Sequence, residues 1–536
     1  MNRRSADTPA PAAAPAAPRP TLTKIVATVG PASDSPELIG KLIQAGVSVF
    51  RLNFSHGSLE DHARRLRIIR DVSKSLAQPV GVLGDLQGPK IRVGKLDTEP
   101  VVLQPGRDVV FVCAPADQAR WARPGETDAL PSDYALLARE VEPGQRVLIN
   151  DGAVRCLAVA REDGPDGQGD TPNVLRARVL VGGPVTSRKG INLPDSKVSA
   201  PALSDRDWEC VEWSVAHGLD LLAMSFVRRA AEVRDLKRAL ASVCAAHEPH
   251  AQDESDSSRG SFIPVIAKIE KPEALAELDA IIEAADGVMV ARGDLGVEMD
   301  LAQVPVIQKR LIAKCDEWGK PCIVATQMLE TMVQNATPTR AEVSDIAQAV
   351  IDGADAVMLS AETATGRHPP LVVETMRRAI AAAEAFAAEH QTAPTPSSRL
   401  MASRYRTAAL AHGAWHVAHD IGARLVACWS QEGGTARYLS QTGLRVPIVA
   451  YSNDLRQLRR MSLLRGVTAR LMPVPTSGKL ADWNLAVEKD LLALGWVRAG
   501  DPIVLLAGKP LGKKGATNTL AVHYIGNPAL GFLGDC

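Results

Sequence analysis

Eight short apolar runs, each ending in glycines or polar residues, constrain this chain more than any other feature of it. They cover residues 24–29, 47–50, 80–83, 219–226, 264–270, 287–291, 321–326 and 356–360. Helical periodicity lies between them. After the first run, Leu38, Ile39, Leu42 and Ile43 recur at helical spacing until Gly46 stops them. Before the last, Thr339-Arg340-Ala341-Glu342 reads as a capping box opening a helix that buries Val343, Ile346, Ala347, Val350 and Ile351. Strands that alternate with helices must lie parallel, and eight such units close into a (β/α)8 barrel. In that fold, chemistry gathers at the C-terminal ends of the strands.

The rhythm breaks over 90–195, where β-branched runs (Val101-Val102-Leu103, 109–112, 146–149 and 174–181) are separated by Pro-Gly and Asp-Gly turns. This predicts an all-β insert. Past a Pro/Ser/Thr stretch at 391–398, strands at 424–429, 446–451, 467–474, 502–507 and 520–525 alternate with helices at 435–441, 454–464 and 482–494. The expected fold class is therefore α/β: a (β/α)8 TIM barrel (21–89 and 196–390) with an inserted all-β lid domain (90–195) and a C-terminal α/β domain (399–536). Residues 1–20 read as a disordered tail and 245–261 as a polar surface insertion.

The charge balance, 61 basic against 61 acidic residues, leaves no global field for nucleic acid or an anionic membrane. Any basic site must be local. Eight cysteines without CxxC spacing predict free thiols in a reducing compartment. Arg3-Arg4 is followed by an Ala-rich run broken by prolines, so no export signal forms, and no run is long enough to span a membrane. The expectation is a cytoplasmic protein.

Polar residues cluster at the strand ends. Lys268 and Glu270, at i and i+2 on the fifth run, share a face. Asp294 follows the sixth run in a Gly-rich turn, Arg51 the second, Asp85 the third, Thr326 the seventh, and Ser360 with Glu362 the eighth. Two carboxylates from neighbouring strands can hold a divalent cation beside the Lys268 ammonium, a centre suited to phosphate or enolate chemistry. Met328 and Met358 read as core.

The motifs Arg51-Leu-Asn-Phe-Ser-His-Gly57, Asp85-Leu-Gln-Gly-Pro-Lys-Ile-Arg92, Lys268-Ile-Glu270, Ala291-Arg-Gly-Asp-Leu-Gly-Val-Glu298, Ala325-Thr-Gln-Met-Leu-Glu330, Pro338-Thr-Arg-Ala-Glu-Val-Ser-Asp345 and Met358-Leu-Ser-Ala-Glu-Thr363 resemble those of the pyruvate kinase family. The resemblance runs from about Thr23 to about Tyr524 and is weaker in the insert and the C-terminal domain. It implies phosphoryl transfer from phosphoenolpyruvate to ADP, giving pyruvate and ATP, in a homotetramer to which Arg340 contributes a subunit contact.

By that resemblance Glu270 and Asp294 would ligate Mg2+ (or Mn2+), and Lys268 would stabilise the moving phosphoryl. Gly293, Asp294 and Thr326 would receive the substrate carboxylate, while Ser360 and Glu362 would order a water relay. Arg51 and Arg92 would bind phosphates, and Pro31, Asn53, His56, Asp151 and Lys189 would line the nucleotide site. Asn53, Ser55 and Asp85 would form a monovalent cation site. That site departs from the potassium-dependent pattern: Lys90 stands where those members carry an acid and Leu86 where they carry a hydroxyl, so K+ should not be required. In the C-terminal domain, Ser430, Glu432, Gly433, Gly434 and Thr435, faced by Lys513 and Lys514, resemble an effector-phosphate loop. A sugar monophosphate or nucleotide fits better than a bisphosphate, because Glu432 would repel the larger charge. Two rival readings stand beside this one. A magnesium-dependent aldolase or lyase would need the same carboxylates but no lid, and a catalytically dead metabolite sensor would not need the intact ring.

Overall fold

The computed structural model describes residues 20–113, 127–162, 173–247, 263–390 and 398–527. The tail and the 245–261 insertion lie wholly or almost wholly outside these, as does the Pro/Ser/Thr stretch. Two compact units emerge, one spanning Thr23–Ala383 and the other built mainly on the chain from Glu384 onward.

In the first unit eight parallel strands close into a barrel: Lys24–Thr28, Val47–Asn53, Gly81–Asp85, Leu221–Met224, Val265–Ile269, Gly287–Ala291, Cys322–Ala325 and Ala356–Leu359. Here they are numbered one to eight. Each pairs only with its sequence neighbours in this series, and strand one closes the ring on strand eight. Such strands are buried on both faces, so they read as continuous apolar runs rather than as alternation. Along strand five, Val265, Ala267 and Ile269 join the core against the outer helices. Ile266 and Lys268, the alternates, therefore face the barrel axis.

The capping box at Thr339 forms as its sequence requires, with Thr339 Oγ1 accepting from the Glu342 amide. Its helix buries Ile346, Ala349 and Val350, but Val343 is exposed. Helical spacing identified the face one position wide of its true centre.

The insert is a six-stranded sheet with a separate two-stranded ribbon. Two of its strands, Thr127–Pro131 and Val154–Glu162, lack the β-branched runs by which the others were legible. In Val154–Glu162 buried Val154, Cys156 and Ala158 alternate with exposed or half-buried neighbours. Its core (Phe111, Val147, Ile149, Leu175) is separate from the barrel's.

The second unit carries a five-stranded sheet in the order Val467–Leu471, Ile448–Ser452, Val426–Trp429, Pro502–Gly508 and Thr517–Tyr524, the last strand antiparallel. Apolar clusters cover both its faces. No helix among the described residues is long and apolar enough to cross a membrane.

Candidate active site

The ring read from the sequence converges around Lys268. Its ammonium lies 2.6 Å from Ser225 Oγ, 3.0 Å from Glu270 Oε1 and 3.2 Å from Asp85 Oδ1. Asp85 in turn holds Arg51 through a 2.7 Å bond to Nε, and Arg51 Nη1 donates to Thr28 Oγ1. Strands one, two, three and five and the loop after four thus meet in one charge network.

Burial sets its electrostatics. Desolvation opposes a charge on Lys268, yet Asp85 and Glu270 outweigh it and hold the ammonium well above the usual lysine range. Desolvation likewise opposes the Asp85 carboxylate, but Lys268 and Arg51 prevail and hold it below its usual range. Glu270 is different. Burial, reinforced by the Asp294 charge, raises its proton affinity despite Lys268. Its Oε2 accepts the Phe226 amide at 2.6 Å, while Oε1 is buried without an aligned donor, the nearby ammonium notwithstanding. Two mutually repelling carboxylates, one of them held by the Lys268 ammonium at a single oxygen, form a donor set that a hard divalent cation fits.

The loops that frame the network are conformationally restricted. Phe226, Thr326 and Gln327 adopt positive φ although none is glycine. Such strain persists where surrounding contacts over-determine it. Thr326 Oγ1 accepts from the Gly293 amide at 2.7 Å and donates to Ala325 O, which fixes the turn opening the helix Arg292–Glu298. Arg292, buried, bonds the carbonyls of Ala325 and Thr326 and pairs with Asp345.

The family comparisons bear on both units. Residues 21–373 match the family model described as pyruvate kinase, barrel domain, and 408–523 the one described as pyruvate kinase, alpha/beta domain. The chain belongs to the pyruvate kinase family. It is 40% identical over 503 residues to a pyruvate kinase of Mycobacterium intracellulare, covering 94% of this chain and 98% of the relative. A pyruvate kinase of Mycobacterium tuberculosis is 38% identical over 505 residues, with the same two coverages. One from Methylorubrum extorquens is 37% identical over 510 residues, covering 94% and 97%. As a pyruvate kinase the chain is a phosphotransferase.

Among the other residues singled out from the sequence, Lys90 pairs with Asp294. Lys90 Nζ lies between two carboxylates, 3.6 Å from Asp151 of the insert and 3.8 Å from Asp294. Asp151 belongs to an Asn150-Asp151-Gly152 turn in which all three residues have positive φ. Arg92 Nη1 donates to the Arg188 carbonyl, and the neighbouring Lys189 is exposed. Asn53 Oδ1 accepts the Ser55 amide, and Ser58 caps the following helix. Both Asp85 oxygens face cationic side chains. Pro31 and His56 are exposed at loop tips. Ser360 follows strand eight, and Glu362 is fully buried, its oxygens accepting the amides of Leu329 and Ser360. In the second unit, Ser430 Oγ accepts the Ala436 amide and Thr435 Oγ1 shares a hydrogen bond with Thr517 Oγ1. Glu432 pairs with Lys514 at 3.0 Å, Gly433 has positive φ ahead of Gly434, and Lys513 is exposed.

Sequence reasoning missed several residues. Ser225 follows strand four and obeys the same strand-end rule as its neighbours, but it is a small polar residue inside an apolar run. Asn192 and Lys271 both bind Glu298 Oε1, at 2.8 and 2.7 Å, and tie the insert to the barrel. His62 lies on a helix face with no motif to mark it. It is buried against Phe54 and Trp213, and its Nε2 contacts the His56 carbonyl at 3.0 Å. Burial, with Arg65 nearby, pushes its pKa down to about 4 from 6.5. The unfolded chain therefore binds this proton more tightly, so stability is full above pH 6.5 and falls as pH drops from there towards 4. His62→Asn is expected to flatten that part of the stability-pH curve measured by urea unfolding; an unchanged slope would remove His62 from the account.

Proposed function

We propose that this enzyme transfers the phosphoryl group of phosphoenolpyruvate to ADP, giving pyruvate and ATP in glycolysis. The observation that carries the reading is the buried Lys268 ammonium between Asp85, Glu270 and Ser225. A fixed positive charge in a dry site stabilises charge that develops on a moving phosphoryl without reorganising at the moment of reaction. Magnesium or manganese held by Glu270 and Asp294 would neutralise charge on the phosphoryl and enolate oxygens. Arg51, held through Nε by Asp85 and through Nη1 by Thr28, would present its remaining nitrogen, Nη2, to the transferred phosphate. Gly293, Asp294 and Thr326 would form the cradle for the substrate carboxylate, the Gly293 amide and the Thr326 hydroxyl exchanging their present bonds to Thr326 and Ala325 for the ligand. Glu362 acts as a positioning residue, since both its oxygens hold loop amides and so fix Ser360, which orders water for protonation of the enolate.

Arg92, Pro31, Asn53, His56, Asp151 and Lys189 make the nucleotide side, and the insert closes over it to exclude water. Asn53, Ser55 and Asp85 mark a vestigial monovalent cation site. Asp85 is committed to Arg51 and Lys268, and Lys90 supplies a built-in charge, so potassium is not required. The loop of Ser430, Glu432, Gly433, Gly434 and Thr435 with Lys513 and Lys514 is an effector site for a sugar monophosphate or nucleotide. Its Glu432–Lys514 pair already neutralises one lysine, which favours a small anionic ligand over a bisphosphate. The enzyme works as a homotetramer with Arg340 in a subunit contact. The seven cysteines of the described residues are free and buried, in keeping with a reducing, cytoplasmic setting.

Pyruvate formation from phosphoenolpyruvate, followed with and without ADP, tests the reaction: absolute dependence on ADP is expected, and ADP-independent turnover would point to the lyase reading. Repeating the titration with a panel of sugar phosphates and nucleotides tests the effector loop. At least one monophosphate should shift the apparent substrate affinity severalfold, and no shift with any of them would reduce the loop to an ordinary polar turn.

A further inference from the structure

The helix Arg406–Asp420 packs on the C-terminal sheet through Ala408, Ala411, Ala414 and Ala418. Its adjoining face carries His412 and His416, one turn apart, so their side chains project side by side. The two Nε2 atoms face each other at 3.1 Å, with ring centroids 4.7 Å apart and planes inclined at 70°. Trp415 braces His416 edge-on and stacks against His419, whose Nδ1 is turned to Asp420.

We propose that His412 and His416 form a bis-imidazole site for a transition-metal dication such as Ni2+, Cu2+ or Zn2+, distinct from the oxygen-ligand magnesium centre. Nitrogens bound about 2.0–2.1 Å from a shared metal lie about 2.9 Å apart at a right angle and about 3.3 Å apart at the tetrahedral angle. The observed 3.1 Å falls between these, so the rings need only a slight adjustment to accept the ion. Two histidines at i and i+4 on one helical face are a recurrent way of presenting imidazole to metal. Both rings then carry their proton on Nδ1 and offer Nε2 as the donor atom. Imidazole suits zinc, copper and nickel, whereas magnesium prefers oxygen. The two classes of cation are therefore sorted between the two sites by ligand chemistry. With two protein ligands the other positions go to water, so the site is an exchangeable one. The competing arrangement is a plain N–H···N bond between the rings, which has no use for a metal.

Calorimetric titration of the untagged full-length enzyme with NiCl2, in excess Mg2+ to fill the oxygen-ligand centre, decides between them. One Ni2+ per chain is expected for the wild type. His412→Gln and His416→Gln should each weaken that event at least tenfold, and His419→Gln should leave it in place. Both histidines are at the surface edge of the helix, so the variants are expected to fold, and retained phosphoryl transfer checks that they have. Ni2+ should also raise the melting temperature of the wild type and not that of His416→Gln, since a ligand held only by the native state stabilises it. No uptake by the wild type under excess Mg2+, or equal uptake by the double variant, would overturn the assignment.

Discussion

Replacing Lys268 by methionine is expected to lower phosphoryl transfer by at least ~10²- to 10³-fold, the range seen when one preorganised electrostatic contact to developing charge is lost. The ammonium touches Asp85, Glu270 and Ser225 together, and its raised pKa keeps it charged at any working pH. Metal binding should behave differently. By the proposed assignment Lys268 shares Glu270 with the divalent cation, so its removal leaves that carboxylate more dependent on a metal, and Mn2+ affinity should be unchanged or increased. The substitution also strips Asp85 of its buried cationic partner and leaves it only the half-buried Arg51, and breaking a buried pair can cost about 3–5 kcal/mol. Turnover, Mn2+ titration and thermal melting on the same preparation separate these effects. Turnover within tenfold of wild type would remove Lys268 from the chemistry, while loss of Mn2+ binding in a folded variant would make it structural support for the metal site instead.

How much of this centre was legible in the sequence follows from where its information lies. Strand-end residues are local features: a charged side chain interrupting an apolar run announces itself, which is why Arg51, Asp85, Lys268, Glu270 and Asp294 stand out where the small, uncharged Ser225 does not. Lys268 and Glu270 could even be assigned to one face, because strand periodicity is rigid. Contacts between distant segments leave no such mark. That Asn192 reaches Glu298, that Arg292 holds the carbonyls of the next loop, and that His62 packs against Trp213 depend on chain closure rather than on neighbours in sequence. The backbone strain at Phe226 and Thr326 is equally silent, since neither is a residue that advertises positive φ. The lid was read less completely than the barrel for a related reason. Strands such as Val154–Glu162, half exposed and rich in charge, owe their conformation to pairing on both sides more than to β-propensity.

Full turnover is expected in potassium-free, sodium-free buffer with a tetramethylammonium salt at constant ionic strength, and stepwise KCl should raise it less than tenfold. The Lys90 ammonium is 3.8 Å from Asp294 and 3.6 Å from Asp151, the one a proposed magnesium ligand and the other on the lid. Solvent screens these partly exposed pairs, so what Lys90 contributes is a fixed positive charge at the position rather than a strong ion pair. Being covalent, this charge does not dissociate and brings no binding equilibrium with it. Lys90→Glu reverses the sign. It sets a third carboxylate beside Asp294 and Asp151, so the variant should lose activity in tetramethylammonium and recover it as potassium is added. Leu86 is buried in the barrel's apolar core, so Leu86→Thr in the Lys90→Glu background is expected to lower the potassium concentration needed only if its hydroxyl turns out of that core toward the cation. Tenfold or greater activation of the wild type by KCl would refute the substitution of lysine for potassium. A Lys90→Glu enzyme that folds but answers to no monovalent cation would restrict Lys90 to holding the lid through Asp151.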